Sequence, residues 1–415
     1  MFNLTVDEVK ELSKKYNMIP LTIECYADMD TPISVFKRMQ TEKDCFLLES
    51  IGQNHVTARF SFIGRNPFIS FKSLNDEITI SDYTGKTNTY KGKPMEELEK
   101  LIEKYKAPKL ENIPSFNGGA VGFFAYDIIR QYEHLPNINQ DDLHLPDMHF
   151  MLMDEIIAFD HMRQKIVIIV NIHAEGDIEN QYKKATGRLL DIQQEMTDLS
   201  GLMKKEKREY RSSSKMVSNM TKEEFCANVE KAKEYIKNGD IFQIVPSQRF
   251  EVSNPPDSFD VYRMLRTTNP SPYLFYFKGK DYAYAGASPE MLVSVNSGTV
   301  INRPIAGTIK RGETEEQDAA NEKQLLNDPK ERAEHTMLVD LGRNDLGKVC
   351  KFGTVKVTDC MIVEKYSKVM HLVSNVKGEL AADKKPMDAL MAVLPAGTLS
   401  GAPKVRAMEI IDELE

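Results

Sequence analysis

Hydrophobic and polar positions divide the first part of the chain into short strands and amphipathic helices. Four runs have the composition and the turn-bounded length of strands: CFLLES, ARFSFIG, FISFKS and EITISD. Residues 95–106 follow a helical spacing that places Leu98, Leu101 and Ile102 on one face. Three longer apolar runs each predict one strand, and an acidic segment then predicts a helix; they are residues 116–127, 148–160, 165–172 and 176–196.

Two helices of the second half have recognisable start signals. Thr221 and Glu224 form a capping-box pattern, and Gly239 predicts the end of that helix. Asp328 can cap a second helix, and Pro329 suits its first position. Helices and strands come in blocks without a steady β-α-β alternation, which favours an α+β fold over a doubly wound sheet.

A polar, basic and serine-rich stretch at residues 198–220 predicts the domain boundary. We therefore expect an N-terminal region at residues 1–200 and a second domain at residues 215–415.

Composition narrows the function classes. Of the 415 residues 41% are hydrophobic and 28% are charged, which is ordinary for a soluble globular protein. The net charge of −8 argues against a nucleic-acid binder. No apolar run approaches the ~20 residues of a membrane span, and the acidic N-terminus does not resemble a signal peptide. Five scattered cysteines without C-x-x-C spacing predict reduced thiols and a cytoplasmic location.

Two glycine- and threonine-containing loops are candidates for binding an anion. Residues 303–312 (RPIAGTIKRG) carry two glycines, a threonine and three basic side chains, but they lack the P-loop pattern. Residues 395–404 (PAGTLSGAPK) lead into a predicted helix, whose first backbone N–H groups favour a carboxylate or phosphate.

The helix that starts at Asp328 contains a candidate metal ligand. Glu331 and His335 are four residues apart, and Glu334 and Leu338 repeat that offset, so Glu334 lies between a polar stripe and the buried face. A carboxylate in that position suits magnesium. A solvated helix with Glu–Arg and Glu–His pairs explains the same spacing.

Two further residues have both a functional and a structural interpretation. His371 lies in a strand-like apolar run, where a packed and hydrogen-bonded histidine is the ordinary case. Glu290 follows a small-residue turn and, taken alone, is explained as a surface carboxylate. Together these features predict an enzyme with a small anionic ligand and magnesium as the candidate metal.

Ten segments in this order resemble the chorismate-utilising enzymes and, among them, the component I subunits of anthranilate synthase. Each segment is a weak signal alone, whereas their order is specific. They are LLES (47–50), FSFIG (60–64), GGAVGFFAYD (118–127), GDIFQIVPSQRF (239–250), NPSPYLFY (269–276), GASPE (286–290), RPIAGTIKRG (303–312), ERAEHTMLVDLGRNDLG (331–347), VMHLVSNVKG (369–378) and LPAGTLSGAPK (394–404).

The resemblance implies an α+β fold in which a two-sheet core is wrapped by helices. It also implies a lyase reaction of tryptophan biosynthesis: ammonia adds to the chorismate ring, the ring hydroxyl leaves, and elimination of pyruvate gives anthranilate. A separate glutamine amidotransferase subunit would supply the ammonia, so we expect a hetero-oligomer.

The resemblance assigns roles to individual residues. Glu290 matches the acid that protonates the departing hydroxyl, His371 matches a histidine of the elimination chemistry, and Glu334 matches a ligand of Mg²⁺. The walls of the substrate site match four residues: Gly307, Thr308, Gly397 and Thr398. A feedback site for tryptophan matches seven residues: Glu49, Ser50, Asn269, Pro270, Ser271, Pro272 and Tyr273.

Two positions separate anthranilate synthase from related enzymes. Aminodeoxychorismate synthase carries a nucleophilic lysine where this chain has Ala306, and a methyl group cannot attack the ring. Isochorismate and salicylate synthases carry a lysine near Gln243 that activates water. An amide is too weak a base for that role, so ammonia is the expected nucleophile.

Two alternative functions remain open. The family pattern continues beyond this sequence with a carboxylate-binding arginine and a second metal-binding glutamate, so a catalytically inactive, tryptophan-binding protein is one hypothesis. The presence of Glu290, Glu334, His371 and Thr398 argues against it. Within the enzyme class, the other hypothesis is aminodeoxychorismate synthase component I, which Ala306 disfavours.

Overall fold

Helices and antiparallel strands build the chain in a computed structural model that describes residues 1–41, 43–51, 58–136, 139–198, 215–366 and 368–415. The described residues form ten α-helices: α1 (Val6–Ser13), α2 (Pro32–Met39), α3 (Pro94–Glu103), α4 (Ile178–Thr197), α5 (Lys222–Asn238), α6 (Ser258–Thr268), α7 (Glu315–Asn327), α8 (Pro329–Gly347), α9 (Pro386–Val393) and α10 (Lys404–Leu414). Within these ranges, no helix has both the length and the apolar character needed to cross a membrane.

The strands pair into antiparallel sheets, and together with the helices they confirm the predicted α+β class. They are β1 (Met18–Tyr26), β2 (Cys45–Glu49), β3 (Phe60–Arg65), β4 (Ile69–Leu74), β5 (Glu77–Asp82), β6 (Thr87–Lys91), β7 (Gly119–Phe124), β8 (Met148–Met153), β9 (Glu155–Asp160), β10 (Lys165–His173), β11 (Met216–Ser218), β12 (Gln243–Ile244), β13 (Phe250–Val252), β14 (Tyr273–Lys278), β15 (Ala283–Ser288), β16 (Ser294–Asn296), β17 (Thr299–Asn302), β18 (Ile305–Lys310), β19 (Lys356–Lys365), β20 (Val369–Glu379) and β21 (Gly401–Ala402).

The chain forms two compact units. The first comprises Met1–Ala125, Leu145–Tyr210 and Pro256–Ser288, and the second comprises Tyr126–His144, Arg211–Pro255 and Pro289–Glu415. The division into residues 1–200 and 215–415 stays a prediction, because most of its boundary falls on residues 199–214, outside the described part of the chain.

The first unit contains two antiparallel sheets. One has seven strands in the order β1-β10-β9-β3-β2-β14-β15, and the other has five in the order β6-β5-β4-β8-β7. Helices α4 and α6 pack on the seven-stranded sheet. The amphipathic α4 buries Ala185, Leu189, Ile192 and Met196 in the core of this unit.

The prediction of one strand over residues 148–160 was wrong. Asp154 separates β8 from β9, and the two strands belong to different sheets. The Asp154 carbonyl accepts a hydrogen bond of 2.7 Å from the Asn171 backbone N–H, and its carboxylate lies 2.9 Å from His173 Nε2. These contacts with β10 break the strand where the apolar pattern alone shows no interruption.

The second unit is built around β20. Strands β17 and β18 pair with one edge of β20, β19 pairs with the other edge, and β16 extends the sheet beyond β17. Helix α8 packs against β18 and β20. Its predicted start is confirmed, because the Asp328 side chain accepts hydrogen bonds from the N–H groups of Lys330 and Glu331.

The predicted bounds of α5 are also confirmed. The Thr221 side chain accepts from the Glu224 backbone N–H, the reciprocal half of the capping box is present, and Gly239 is the C-cap residue. This helix therefore starts and ends on local signals that the sequence contains.

Candidate functional site

Residues 303–312 contain β18, which has a bulge at Gly307. Gly307 has a φ of +79°, and the pairing of β18 with β20 shifts register between Ala306 and Thr308. A Cβ atom at Gly307 would lie 3.0 Å from Leu372 Cδ1. Glycine adopts this backbone conformation without the cost that a side chain would add. The residue that follows the bulge, Thr308, is exposed.

The arginines of this segment are held by carboxylates. Arg303 forms an ion pair with Glu364, and Arg311 Nε donates to Asp318 Oδ2 at 2.8 Å. Both guanidinium groups therefore already have anionic partners within the chain. The Thr308 hydroxyl is the exposed polar group that the bulge presents.

Thr308 connects the bulge to β20 and to α8. Its Oγ1 lies 2.9 Å from His371 Nδ1, and its backbone N–H donates to Glu331 Oε2 at 3.2 Å. Burial lowers the pKa of His371, and a hydrogen bond involving the Gly307 backbone opposes that shift. A His371 that is mainly neutral near pH 7 can accept a proton from a ligand beside Thr308.

Glu290, two residues after β15, lies beside the loop at residues 395–404. Thr398 Oγ1 donates to Glu290 Oε2 at 3.0 Å, and both side chains line a cavity of ≈ 20 Å³. Burial raises the pKa of Glu290, and the hydrogen bond from Thr398 opposes the rise. A carboxyl group whose pKa is raised towards neutrality is suited to donate a proton.

The loop at residues 395–404 is held against α8 at two points. Gly397, in a short 3₁₀ helix (Gly397–Leu399), lies so close to α8 that an added Cβ would be 2.4 Å from Leu341 Cδ2. At the end of the loop, Lys404 Nζ donates to Asp345 Oδ2 at 2.7 Å. The Lys404 side chain is 10% exposed and the Asp345 side chain is 5% exposed, so this ion pair is buried.

Glu334 lies on α8 within reach of Gln243. Gln243 Nε2 donates to Glu334 Oε1 at 3.4 Å, which is a weak hydrogen bond. Gln243 lies on β12, whose partner strand β21 belongs to the loop at residues 395–404. Gln243 Oε1 is buried and has no hydrogen-bond partner among the residues that the structure describes.

The donor set around Glu334 fits magnesium in kind. Magnesium prefers hard oxygen ligands and is usually bound through one or two carboxylates with retained waters. Glu334 supplies a half-buried carboxylate, and Gln243 supplies the unpartnered amide oxygen. Among the described residues, no group of three or more His, Cys, Asp or Glu side chains could hold a metal ion. Magnesium here would depend on waters and on oxygens of a bound substrate.

The predicted regulatory residues of the first unit cluster around Glu49. Glu49 ends β2 opposite Leu274 of β14, and it is buried. Its carboxylate accepts hydrogen bonds from Tyr262 Oη at 2.7 Å and from Arg266 Nε at 2.7 Å. The backbone of Ser271 accepts a hydrogen bond from the Ile51 N–H at 3.0 Å. The segments 47–50 and 269–273 are therefore neighbours in space.

A groove of ≈ 580 Å³ lies beside this cluster. Four of the predicted regulatory residues line it: Glu49, Ser50, Pro272 and Tyr273. The remaining three lie in the adjacent turn, where Asn269 is the C-cap of α6 and Ser271 is buried and donates to the Asn269 carbonyl. The groove also contains aromatic and basic side chains, including Phe60, Phe62 and Arg59.

Sequence reasoning missed several residues that hold these sites together. Tyr262 and Arg266 are four residues apart on α6, a spacing that could have marked them as one face directed at a common partner. Lys404 was read as part of an anion-binding loop, but its partner is Asp345 of the same unit.

The structure brings six of the eight predicted catalytic, substrate and metal residues into three pairs: Thr308 with His371, Glu290 with Thr398, and Gln243 with Glu334.

Comparison with known proteins assigns the chain to a family. A family model described as chorismate binding enzyme matches residues 43–415. This chain belongs to the chorismate-binding enzymes. Its predicted membership of this family is confirmed.

Similar proteins match nearly the whole chain. The anthranilate synthase component 1 of Acetivibrio thermocellus is 53% identical, over 100% of this chain and 85% of that protein. The crystal structure of anthranilate synthase component I from Streptococcus pneumoniae TIGR4 is 38% identical and covers 94% of this chain and 83% of that one, with a TM-score of 0.73. The menaquinone-specific isochorismate synthase of Escherichia coli shares the fold, at 13% identity and a TM-score of 0.67 over 99% of this chain and 83% of that one.

Proposed function

We propose that this protein is the component 1 subunit of an anthranilate synthase. The reaction converts chorismate and ammonia into anthranilate, pyruvate and water. The observation that carries the proposal is the 53% identity to the Acetivibrio thermocellus anthranilate synthase component 1 across 100% of this chain. The chemistry needs an acid for the ring hydroxyl, a proton acceptor for the elimination, and a nitrogen nucleophile.

Glu290 is the proposed general acid. Burial raises its pKa above the ordinary value of a glutamate, which favours the protonated form, and the carboxyl group is held by Thr398 at 3.0 Å. Protonating the ring hydroxyl lets it depart as water while ammonia forms the new carbon–nitrogen bond. Glu290 is half-buried beside the small cavity, and burial is the cause of its raised pKa.

His371 and Thr308 are proposed to serve the elimination of pyruvate. The lowered pKa of His371 leaves its imidazole mainly neutral and able to accept a proton, and the hydrogen bond to Thr308 fixes the ring. Neither Gln243 nor Ala306 supplies a nucleophile or a strong base, so ammonia is the nucleophile of this proposal. That choice favours anthranilate over the aminodeoxychorismate reaction.

Magnesium is the proposed cofactor, and Glu334 with the Gln243 amide oxygen would hold it. When bound, the ion would act as a Lewis acid on the ring carboxylate of chorismate. Glu331, three residues before Glu334 on α8, keeps its carboxylate on the Thr308 backbone and so fixes the wall beside this site.

Regulation by tryptophan and nitrogen supply by a glutamine amidotransferase subunit complete the proposal. The groove beside Glu49 and Ser50 has aromatic walls, which suit the indole ring of tryptophan. It also has carboxylate, hydroxyl and guanidinium groups, which suit the amino and carboxylate groups of an amino acid. The component 1 name of the relatives supports a second component and a hetero-oligomer. A cytoplasmic location, expected from the scattered cysteines, belongs to the same proposal.

The test is a fluorescence assay for anthranilate with the purified full chain, chorismate, magnesium chloride and a high concentration of ammonium at mildly alkaline pH. We expect anthranilate, its loss in Glu290→Gln and Glu334→Ala, and inhibition by added tryptophan that Ser50→Ala weakens. Glu379→Gln is the matched control, because Glu379 is an exposed carboxylate with an exposed Lys351 as its partner.

Each other outcome changes the proposal. Formation of aminodeoxychorismate in place of anthranilate would assign the chain to the para-aminobenzoate branch. Absence of any product would overturn the activity proposed for this chain, and calorimetry with tryptophan would then test the inactive, tryptophan-binding alternative.

A further inference from the structure

His335 is a fully buried residue of α8 that the proposed reaction does not use. Its exposure is 0%, although the sequence pattern placed it on the polar stripe of the helix with Glu331. Both ring nitrogens have partners: Nδ1 lies 3.2 Å from the Ala306 carbonyl oxygen, and Nε2 lies 2.7 Å from Ser374 Oγ. The polar-stripe assignment was therefore wrong for His335.

The partners of His335 determine which nitrogen carries the proton. The Ala306 carbonyl can only accept a hydrogen bond, so Nδ1 must be the donor. Ser374 Oγ accepts a hydrogen bond of 2.9 Å from the Met361 backbone N–H, which leaves its own hydroxyl hydrogen free to point at Nε2. The Nδ1–H tautomer satisfies every group in this chain of hydrogen bonds.

The carbonyl that His335 holds comes directly before the bulge. On the other side of Gly307, the Thr308 N–H is held by Glu331, also on α8. Two side chains of one helix, four residues apart, therefore fix the peptide groups on both sides of Gly307. In this backbone conformation Thr308 Oγ1 lies 2.9 Å from His371 Nδ1.

We propose that His335 is a positioning residue that holds the β18 bulge so that Thr308 meets His371. The inference rests on the proposed function, because Thr308 and His371 belong to the proposed chorismate site. His335 contacts neither substrate nor cofactor in this account, and it acts through the backbone of Ala306. An apolar residue would fill the same volume, but the Ala306 carbonyl would lose the donor that His335 provides and the Ser374 hydroxyl hydrogen would lose its acceptor.

Two amide substitutions separate positioning from simple packing. In His335→Asn, the amide nitrogen can take the place of Nδ1 and donate to Ala306. In His335→Gln, the amide reaches the place of Nε2 and contacts Ser374, but the bond to Ala306 is lost. We expect both variants to lose a similar amount of thermal stability. The value of kcat/KM should stay within about threefold of wild type in His335→Asn. It should fall about tenfold or more in His335→Gln, the size expected for the loss of one hydrogen bond.

A double-mutant cycle tests the route through Thr308. If His335 acts by placing Thr308, the kcat/KM of the double variant His335→Gln/Thr308→Val should be within about twofold of that of the less active single variant. The proposal would be overturned if the kcat/KM loss of the double variant equalled the product of the two single losses. Equal kcat/KM losses in His335→Asn and His335→Gln would also overturn it.

A second measurement does not depend on activity. With ¹⁵N-labelled histidine, the ring signals of His371 at fixed pH should move in His335→Gln towards their position in Thr308→Val, and should stay in place in His335→Asn. Ser374→Ala is the structural control: it removes the Nε2 partner, so we expect lost stability with His371 signals that stay near wild type. If His335→Gln does not fold, the other two variants decide. The inference would be overturned if the His371 ring signals moved away from their wild-type positions in Ser374→Ala or in His335→Asn. An inactive wild-type enzyme would refute the proposed function while leaving this spectral test in force.

Discussion

The buried ion pair between Lys404 and Asp345 allows a sharp prediction, because Asp345 has a second, exposed lysine partner. Lys404 is 10% exposed and lies 2.7 Å from Asp345, whereas Lys348 is 60% exposed and lies 3.2 Å away. Removing one partner of a buried pair costs ~3–5 kcal/mol, whereas an exposed pair contributes ~0–1 kcal/mol. Lys404 also donates to the Val393 carbonyl at 2.8 Å, and that bond is lost with the same side chain.

We therefore expect Lys404→Met to destabilise the protein by about 3 kcal/mol, the lower end of that range, because Lys348 still faces the carboxylate. Lys348→Met is the matched control, with an expected cost below about 1 kcal/mol. Urea unfolding followed by circular dichroism measures both. With an m-value of about 3 kcal/mol/M, the urea midpoint should fall by about 1 M in Lys404→Met and by less than about 0.3 M in Lys348→Met.

A third variant tests the physical reason. Burial lowers the pKa of Lys404 in spite of the adjacent Asp345, which indicates that desolvation outweighs the attraction between the charges. Replacing both charges, in Lys404→Met/Asp345→Leu, should therefore recover most of the stability that Lys404→Met loses. Equal losses in Lys404→Met and Lys348→Met, or a double variant no better than Lys404→Met, would refute the reasoning.

Three further predictions concern other described contacts. Because burial raises the pKa of Glu290, the contribution of this residue to stability is present at low pH and is lost as the pH rises. Glu290→Gln should therefore be more stable than wild type at pH 8 and lose this advantage near pH 4, as measured by urea midpoints. A difference between the two midpoints that does not change with pH would contradict this. Gly307→Ala should abolish activity, whereas Gly298→Ala, with a similar φ of +82° but open space around it, should only lower the melting temperature; equal activities would argue against a role for the bulge. Tyr262→Phe should cost ~1.5–3 kcal/mol in urea unfolding, because its buried hydroxyl donates to the Glu49 carboxylate; no change in midpoint would mean that water replaces that donor.

Local signals predicted the parts of the fold that depend on neighbouring residues. The starts of α5 and α8 are set by Thr221 and Asp328, whose side chains cap N–H groups within three residues of themselves. The split between β8 and β9 could not be predicted in this way, because Asp154 is held by residues of β10 that lie 17 to 19 positions later.

The same distinction holds in the candidate site. Motif order placed Thr308 and His371 in one site by resemblance, but their hydrogen bond joins residues 63 positions apart, which no spacing rule connects. The sequence placed His335 on a polar stripe because helical spacing groups residues by the polarity of their side chains. It does not show which groups of other elements a side chain contacts. Its burial follows from the Ala306 carbonyl and Ser374, which lie on two different strands.

The single residue between β8 and β9 has a consequence for how the first unit comes apart. Since Asp154 leaves no slack between the five-stranded and the seven-stranded sheet, neither sheet can separate from the rest without pulling on the other. We therefore expect the two sheets to open together, so that a destabilising change in the five-stranded sheet also lowers the hydrogen-exchange protection of β2, the strand of the larger sheet that ends at Glu49.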